Sequence, residues 1–277
     1  MPDMLYDKFP DKHYAIFTMN RPERLNALGQ KMREDQSAAL QDFNNDPEMR
    51  VGILTGKGRA FSAGADLKEM AERNARSAEV EARYQRNEIS SDERNRLMAE
   101  VQGRLEAPMR LGQSPKPIIA AINGLCLAGG MERSIDCDIR IASTEAYFGL
   151  FEVKRGIIAG YAVQHLARVM PFGEVMYLLM TADRMSVREA HRLGFVHEVV
   201  EPDRLMPRAI EIAEMIGANA PLAVQGSKAV AHFWRHYGTN ESEKLMQWVY
   251  RNVLASEDAK EGPRAFAEKR EPVWKAR

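Results

Sequence analysis

Gly129-Gly130-Met131-Glu132 follows an apolar run, Ile118–Ile122, and an Asn123-Gly124 turn, and it reads as the opening of a helix. A helix N-terminus presents unpaired N–H groups and a partial positive charge. Glycine at that place lets a ligand come close to the backbone. Glu132 lies three residues past Gly129, so its carboxylate projects beside those donors. Donors and a carboxylate at one spot suit the polarisation of a carbonyl and the transfer of a proton. The same residues also suit a plain turn with a glutamate complementing the helix dipole. A second stretch of the same character, and a second glutamate, shift the balance toward chemistry.

That second stretch is Gly56-Lys57-Gly58-Arg59-Ala60-Phe61-Ser62-Ala63-Gly64-Ala65-Asp66-Leu67-Lys68-Glu69-Met70, again after a strand and before a helical run. It is no dinucleotide fingerprint, because Phe61 stands where the third glycine belongs. Gly124 and Gly129 have the spacing of a phosphate-binding loop, but Gly130-Met131 replaces the required Lys-Ser/Thr. Ala60-x-Ser62-x-Gly64 is a degenerate nucleophile elbow. An elbow serine sits at the very end of its strand, whereas Ser62 lies seven residues past Thr55.

The elements that must position these residues are legible in order. Tyr14–Met19 and Val51–Thr55 read as buried strands, with a helix between them over about 30–44 that ends at Asn45-Asp46-Pro47. Strand, helix and strand in some forty residues make a parallel crossover. Residues 71–112 carry interspersed opposite charges and good helix formers, which suggests solvated helices and a lid or flank over the site. Asp138–Ala142 is another strand, and Ala146–Gly149 leads into Phe151-Glu152-Val153. Helical runs follow over 163–170 and 174–180. Ser186 and Glu189 form a capping box at the start of a helix that Gly194 closes before a strand over 197–200. Beyond Pro202 the chain reads as helix throughout: 203–217, 221–237, 241–255 and a short one over 262–271. The organisation expected is therefore an α/β core over 1–200 and a helical region over 201–277, which would serve oligomerisation and closure of the site.

Composition narrows the function. Lysine plus arginine equals aspartate plus glutamate at 39 each, which argues against a nucleic-acid binder held by general charge attraction. Cys126 and Cys137 stand eleven residues apart with no metal-ligand spacing around them, so neither a disulfide framework nor a zinc site is indicated. None of the six histidines pairs with a cysteine or carboxylate at metal-ligand spacing. The charged N-terminus lacks the apolar core of a signal peptide, and no apolar run reaches the length of a membrane span. A cytoplasmic protein is expected.

The chain resembles the crotonase (enoyl-CoA hydratase/isomerase) superfamily over nearly its full length. The resemblance rests on Arg21-Pro22 with Asn26-Ala27-Leu28; on Phe61 through Met70; and on Lys116-Pro117 through Asn123-Gly124. It rests further on Ala128-Gly129-Gly130-Met131-Glu132, Cys137-Asp138, Phe148-Gly149 with Glu152, and Ser256 through Gly262. The resemblance implies an α/β fold, a spiral of ββα repeats with a helical C-terminal region, assembled as a homotrimer or a dimer of trimers. It implies an acyl-CoA thioester as substrate, its carbonyl oxygen held between the backbone N–H groups of Ala65 and Gly129. One such donor is worth about 3 kcal/mol to an enolate-like transition state. Ala63, Asp66, Leu67 and Lys68 would line the acyl-CoA path, and Arg24 would meet a phosphate.

Glu132 and Glu152, twenty residues apart, fall on the positions of the two carboxylates that the family's hydratases use to grip a water. The implied reaction is the addition of water to a 2-enoyl-CoA, or its reverse, with no metal or redox cofactor and with coenzyme A only as part of the substrate. An isomerase, a specialised acyl-CoA dehydratase, a C–C hydrolase or a non-catalytic CoA-ester-binding protein are the alternatives, with a serine hydrolase at Ser62 last. Three departures bear on specificity: Ile158-Ala159-Gly160-Tyr161-Ala162 replaces a loop with proline and more glycine; Arg133 and Ser134 stand where the family prefers apolar residues; and 71–112 is long.

Overall fold

The computed structural model describes residues 1–102 and 109–277. Ten strands occur in the order β1 (Met4–Phe9), β2 (Tyr14–Met19), β3 (Val51–Gly56), β4 (Ala60–Ser62) and β5 (Ile118–Ile122). They continue with β6 (Leu125–Leu127), β7 (Ile139–Ser143), β8 (Tyr147–Gly149), β9 (Arg184–Ser186) and β10 (Glu198–Val200). They form two sheets. The larger has the order β1-β2-β3-β5-β7-β10 and is parallel except for the β1–β2 pair. The smaller has the order β4-β6-β8-β9 and is parallel except for β8–β9.

Consecutive strands divide between the sheets. β3, β5 and β7 enter the large sheet, and β4, β6 and β8 follow them into the small one. A helix follows after β4 (Leu67–Gln85) and after β6 (Gly129–Ile135). This is a ββα spiral, as the resemblance implied.

Parallel strands with both faces covered need continuous apolar runs rather than alternation, and β5 shows the reason. Ile118, Ala120 and Ile122 face the core shared by the two sheets, while Ile119 and Ala121 face the helix Leu205–Gly217 on the opposite side. That helix lays Leu205, Ala209, Ile212 and Ala213 against Val51, Ile53 and Ile141. The helical run thus begins as a layer of the sheet and continues through Pro221–Tyr237, Thr239–Ala255 and Glu257–Glu268.

Several expected boundaries need adjusting. The last helix, expected over 262–271, begins five residues earlier. Ser256 caps it by accepting from the Ala259 amide, and Pro263 lies in the helix interior rather than at its start. The helix expected over 163–170 breaks into Ala162–His165 and a single 3₁₀ turn, Leu166–Arg168. In 71–112 the helices are Leu67–Gln85 and Ser91–Gln102, largely solvated, with Val80 the one buried residue of the first. The 103–108 part of the expected lid lies outside the described residues. No helix among the described residues is long and apolar enough to cross a membrane.

Candidate active site

Strand register brings the sequence motifs together. β4 pairs in parallel with β6, Ala60 opposite Leu125 and Ser62 opposite Cys126. The chain leaving both strands in the same direction sets Gly64-Ala65 beside Ala128-Gly129. β8 lies on the other side of β6 with Gly149 opposite Leu127, and the Ala128 amide donates to the Gly149 carbonyl at 2.8 Å. Phe151-Glu152 therefore emerges next to the same point. Three neighbouring strand ends deliver three pieces of one site.

The two glycine-rich loops touch so closely that side chains are excluded. A Cβ at Gly64 would lie 2.7 Å from the Ala128 Cβ and 2.9 Å from the Gly129 nitrogen, and the φ of +90° there is itself unfavourable to other residues. Asn26, itself at positive φ, clamps the first loop. Its side chain accepts from the Arg21 amide and donates to the carbonyls of Lys57 and Ala60. Leu28 adds a bond from its amide to the Gly64 carbonyl.

On the other loop, Ala128 holds φ +50° and ψ −126°, a backbone state that costs about 1–3 kcal/mol. Nothing in the sequence signalled that strain. It aims the first amide of the Gly129 helix. Among the described residues, neither the Ala65 nor the Gly129 amide donates a hydrogen bond.

Both amides border a cavity of about 790 Å³, which Ala63, Leu67, Glu132 and Glu152 also line. The two glutamates are held differently. Glu132 Oε1 accepts from the amides of Tyr161 and Ala162 at 2.8 and 2.9 Å, so its carboxyl plane is set by the loop that departs from the family pattern. Glu152 is buried at the start of a 3₁₀ turn, and its Oε2 has no partner. Burial raises the Glu152 pKa; a backbone N–H pulls it back, and the nearby charge of Glu132 raises it further.

Other expected site residues fall elsewhere. Asp66 does not line the cavity. It caps the helix Leu67–Gln85 through the amides of Lys68 and Glu69, and Arg21 and Arg24 each donate to its Oδ2 at 3.0 Å. Burial alone would raise its carboxyl, but the Glu69 amide and the two guanidiniums outweigh it and hold the pKa below the usual range. Arg24 is thus engaged as an ion-pair partner, and Lys68 is exposed outside the cavity wall.

Ser62 is fully buried, donating to the Asn26 carbonyl and accepting from the Gly64 amide, so it braces the loop and has no access to a substrate. Tyr161 donates its hydroxyl to Asp136 at 2.6 Å, stacks on His165 and lies under Arg110. Sequence reasoning did not find Asp136, Arg33 or Gln36, all of which line the cavity. The last two share one face of the helix Gln30–Asn45 with Met32 and Leu40, and that i, i+3 spacing was the available signal.

Residues 12–277 match the family described as enoyl-CoA hydratase/isomerase. The chain is 38% identical over 258 residues to a short-chain-enoyl-CoA hydratase of Clostridium acetobutylicum, covering 92% of each. It is 37% identical over 272 residues to a mevalonyl-coenzyme A hydratase of Aspergillus fumigatus, covering 96% of this chain and 93% of that protein. The crystal structure of an enoyl-CoA hydratase from Mycobacterium tuberculosis superposes with a TM-score of 0.84 at 31% identity, over 100% of both chains. The chain belongs to the enoyl-CoA hydratase/isomerase family.

Proposed function

We propose that the protein is a hydro-lyase that adds water across the double bond of a 2-enoyl-CoA, and in reverse dehydrates a 3-hydroxyacyl-CoA. What carries this reading is the convergence on one cavity of two unused main-chain amides and two glutamates. The thioester oxygen sits between the N–H groups of Ala65 and Gly129. As water attacks C3, negative charge moves onto that oxygen, where the preorganised donors and the helix N-terminus behind Gly129 stabilise it.

The different settings of the two glutamates divide the labour. Two amides pin Glu132 through Oε1, leaving Oε2 to accept a proton from the attacking water. Glu152, whose pKa burial raises, delivers a proton to C2 as the enolate collapses. Every step is acid–base chemistry. Coenzyme A therefore enters as part of the substrate, and no metal or redox cofactor is called on. The test is incubation with crotonyl-CoA, following loss of the conjugated enoyl absorbance; an undiminished signal at high enzyme concentration would sink the reading.

The assembly we propose is a homotrimer or dimer of trimers in the cytoplasm, built through the 201–277 region, which would also help to close the site. Trp234, Tyr237, Trp248, Tyr250 and Phe266 are all more than half exposed on its helices, an apolar load that suits burial against another copy. Sedimentation equilibrium giving a single-chain mass of 31.3 kDa would refute it.

A further inference from the structure

Four buried side-chain polar atoms among the described residues have no hydrogen-bond partner, and three of them belong to residues that line the active-site cavity: Glu152 Oε2, Gln36 Oε1 and Arg133 Nη1. The first belongs to the chemistry above. Arg133 does not. It follows Glu132 directly on the Gly129 helix, and among the described residues its guanidinium makes no hydrogen bond and no ion pair. Asp136, one turn further on, accepts the Tyr161 hydroxyl on its Oδ1 instead. Arg33, from the neighbouring helix, lines the same cavity and adds a second positive charge. Burial, and then the charge of Arg33, push the Arg133 pKa down to about 10, which still leaves the group charged at neutral pH.

An arginine buried for structure is satisfied by backbone carbonyls, as Arg140 is. Arg133 is half-buried between the charges of Arg33 and Asp136, and among the described residues its guanidinium donates to neither, so its donors stand ready for an anion. The place of that anion along the substrate follows from depth. The phosphates of coenzyme A are too polar and too large for the interior and remain toward solvent, whereas the acyl group runs inward past Glu132. Arg133 directly follows Glu132 on the same helix and lines the same cavity, which puts it on the acyl side.

Building on the hydratase reading, we infer that Arg133 is a specificity-determining residue that binds a carboxylate at the far end of the acyl chain, so that the preferred substrate is a dicarboxylic enoyl-CoA. A guanidinium offers a carboxylate two parallel donors. Arg33 adds a second guanidinium, so the two outnumber the Asp136 carboxylate on that wall. Gln36 contributes an amide to the same wall.

The test compares hydration of carboxylate-ended 2-enoyl-CoA thioesters of five and six carbons with hydration of 2-hexenoyl-CoA. Calorimetric binding of the corresponding saturated thioesters reads the same preference without turnover. The expected kcat/KM ratio favours the carboxylate by about tenfold or more. In Arg133→Met that ratio should fall close to one, and Arg133→Lys, a point charge without the fork, should lie between. Arg133→Met should also melt no lower than the wild type, since it removes a buried charge that has no partner.

A wild-type preference for 2-hexenoyl-CoA, a ratio unmoved by Arg133→Met, or a marked fall in melting temperature would overturn the inference while leaving the hydratase reading intact. Tight binding of the carboxylate-ended thioester with no hydration of any 2-enoyl-CoA would do the reverse.

Discussion

The sheet side of the molecule and its cavity side treat most buried polar groups in opposite ways, the Tyr6 hydroxyl on β1 being the one unpartnered atom away from the cavity among the described residues. Against the sheet, Arg140 donates to the carbonyls of Phe195, Ser134 and Cys137. Lys116 donates to those of Phe43 and Asp46, and Asp138 accepts from the Ile118 amide and Lys228. On the cavity side, Glu152, Gln36 and Arg133 each bury an atom with no partner. A folded chain normally satisfies what it buries, because an orphaned polar group costs roughly 1–3 kcal/mol. Orphans gathered on one cavity mark where a ligand completes the set. The contrast between Arg140 and Arg133 also shows why burial alone does not identify a structural residue.

The largest test of this contrast is catalytic. Glu152→Gln and Glu132→Gln should each lower kcat for a hydrated enoyl-CoA by about 10²–10⁴-fold, the usual contribution of a positioned acid or base, with substrate binding close to wild type. A glutamate whose replacement leaves turnover unchanged has no place in the mechanism. Next comes stability on the sheet side. Arg140→Met strands three carbonyls and should cost about 3–5 kcal/mol in denaturant unfolding. If Arg140→Met and Arg133→Met destabilise equally, the division between the two sides is wrong.

A smaller effect is expected at the helix cap. Asp66→Ala removes the acceptor of two backbone N–H hydrogen bonds and the partner of Arg21 and Arg24, for a loss of about 1–2 kcal/mol. A shift in coenzyme A affinity without that loss would restore Asp66 to the substrate path. The smallest effect is one of pH. The folded pKa of Glu152 lies above its unfolded value because burial favours the proton. The stability it contributes is therefore complete below the unfolded value and is lost as pH rises through the folded one. Glu152→Gln stays neutral throughout, so its melting temperature should gain on the wild type as pH rises from 4 to 7. A gain in the opposite direction would mean that the carboxylate is stabilised where it sits.

Much of the fold was legible. Tyr14–Met19, Ile118–Ile122 and Pro221–Tyr237 occur with the boundaries expected of them, because continuous apolar runs and Pro or Asn-Gly punctuation are local signals. The three-residue strands β4, β6 and β9 were not, since three residues carry no periodicity. Gly262-Pro263 misled because a proline commonly opens a helix, whereas here Ser256 had already capped it. The site divides likewise. Ala65, Gly129, Glu132 and Glu152, named from motif and resemblance, line one cavity. Asp66, expected on the acyl-CoA path, caps its own helix, and an aspartate before a helix reads alike in sequence whichever it faces.

Local composition and spacing thus determined the element types, the two glycine-rich loops, the pair of glutamates and the family they resemble. Only the tertiary structure decided that β4, β6 and β8 run side by side, so that amides 64 residues apart border one cavity. It alone separated Arg133 from Arg140. Among the described residues neither arginine forms an ion pair, and the difference lies in whether folding brings carbonyls, one of them 55 residues away, to the guanidinium. Hydrogen bonds and charge interactions of that kind act over a few ångströms of space, and the chain reaches those distances through folding rather than through sequence separation.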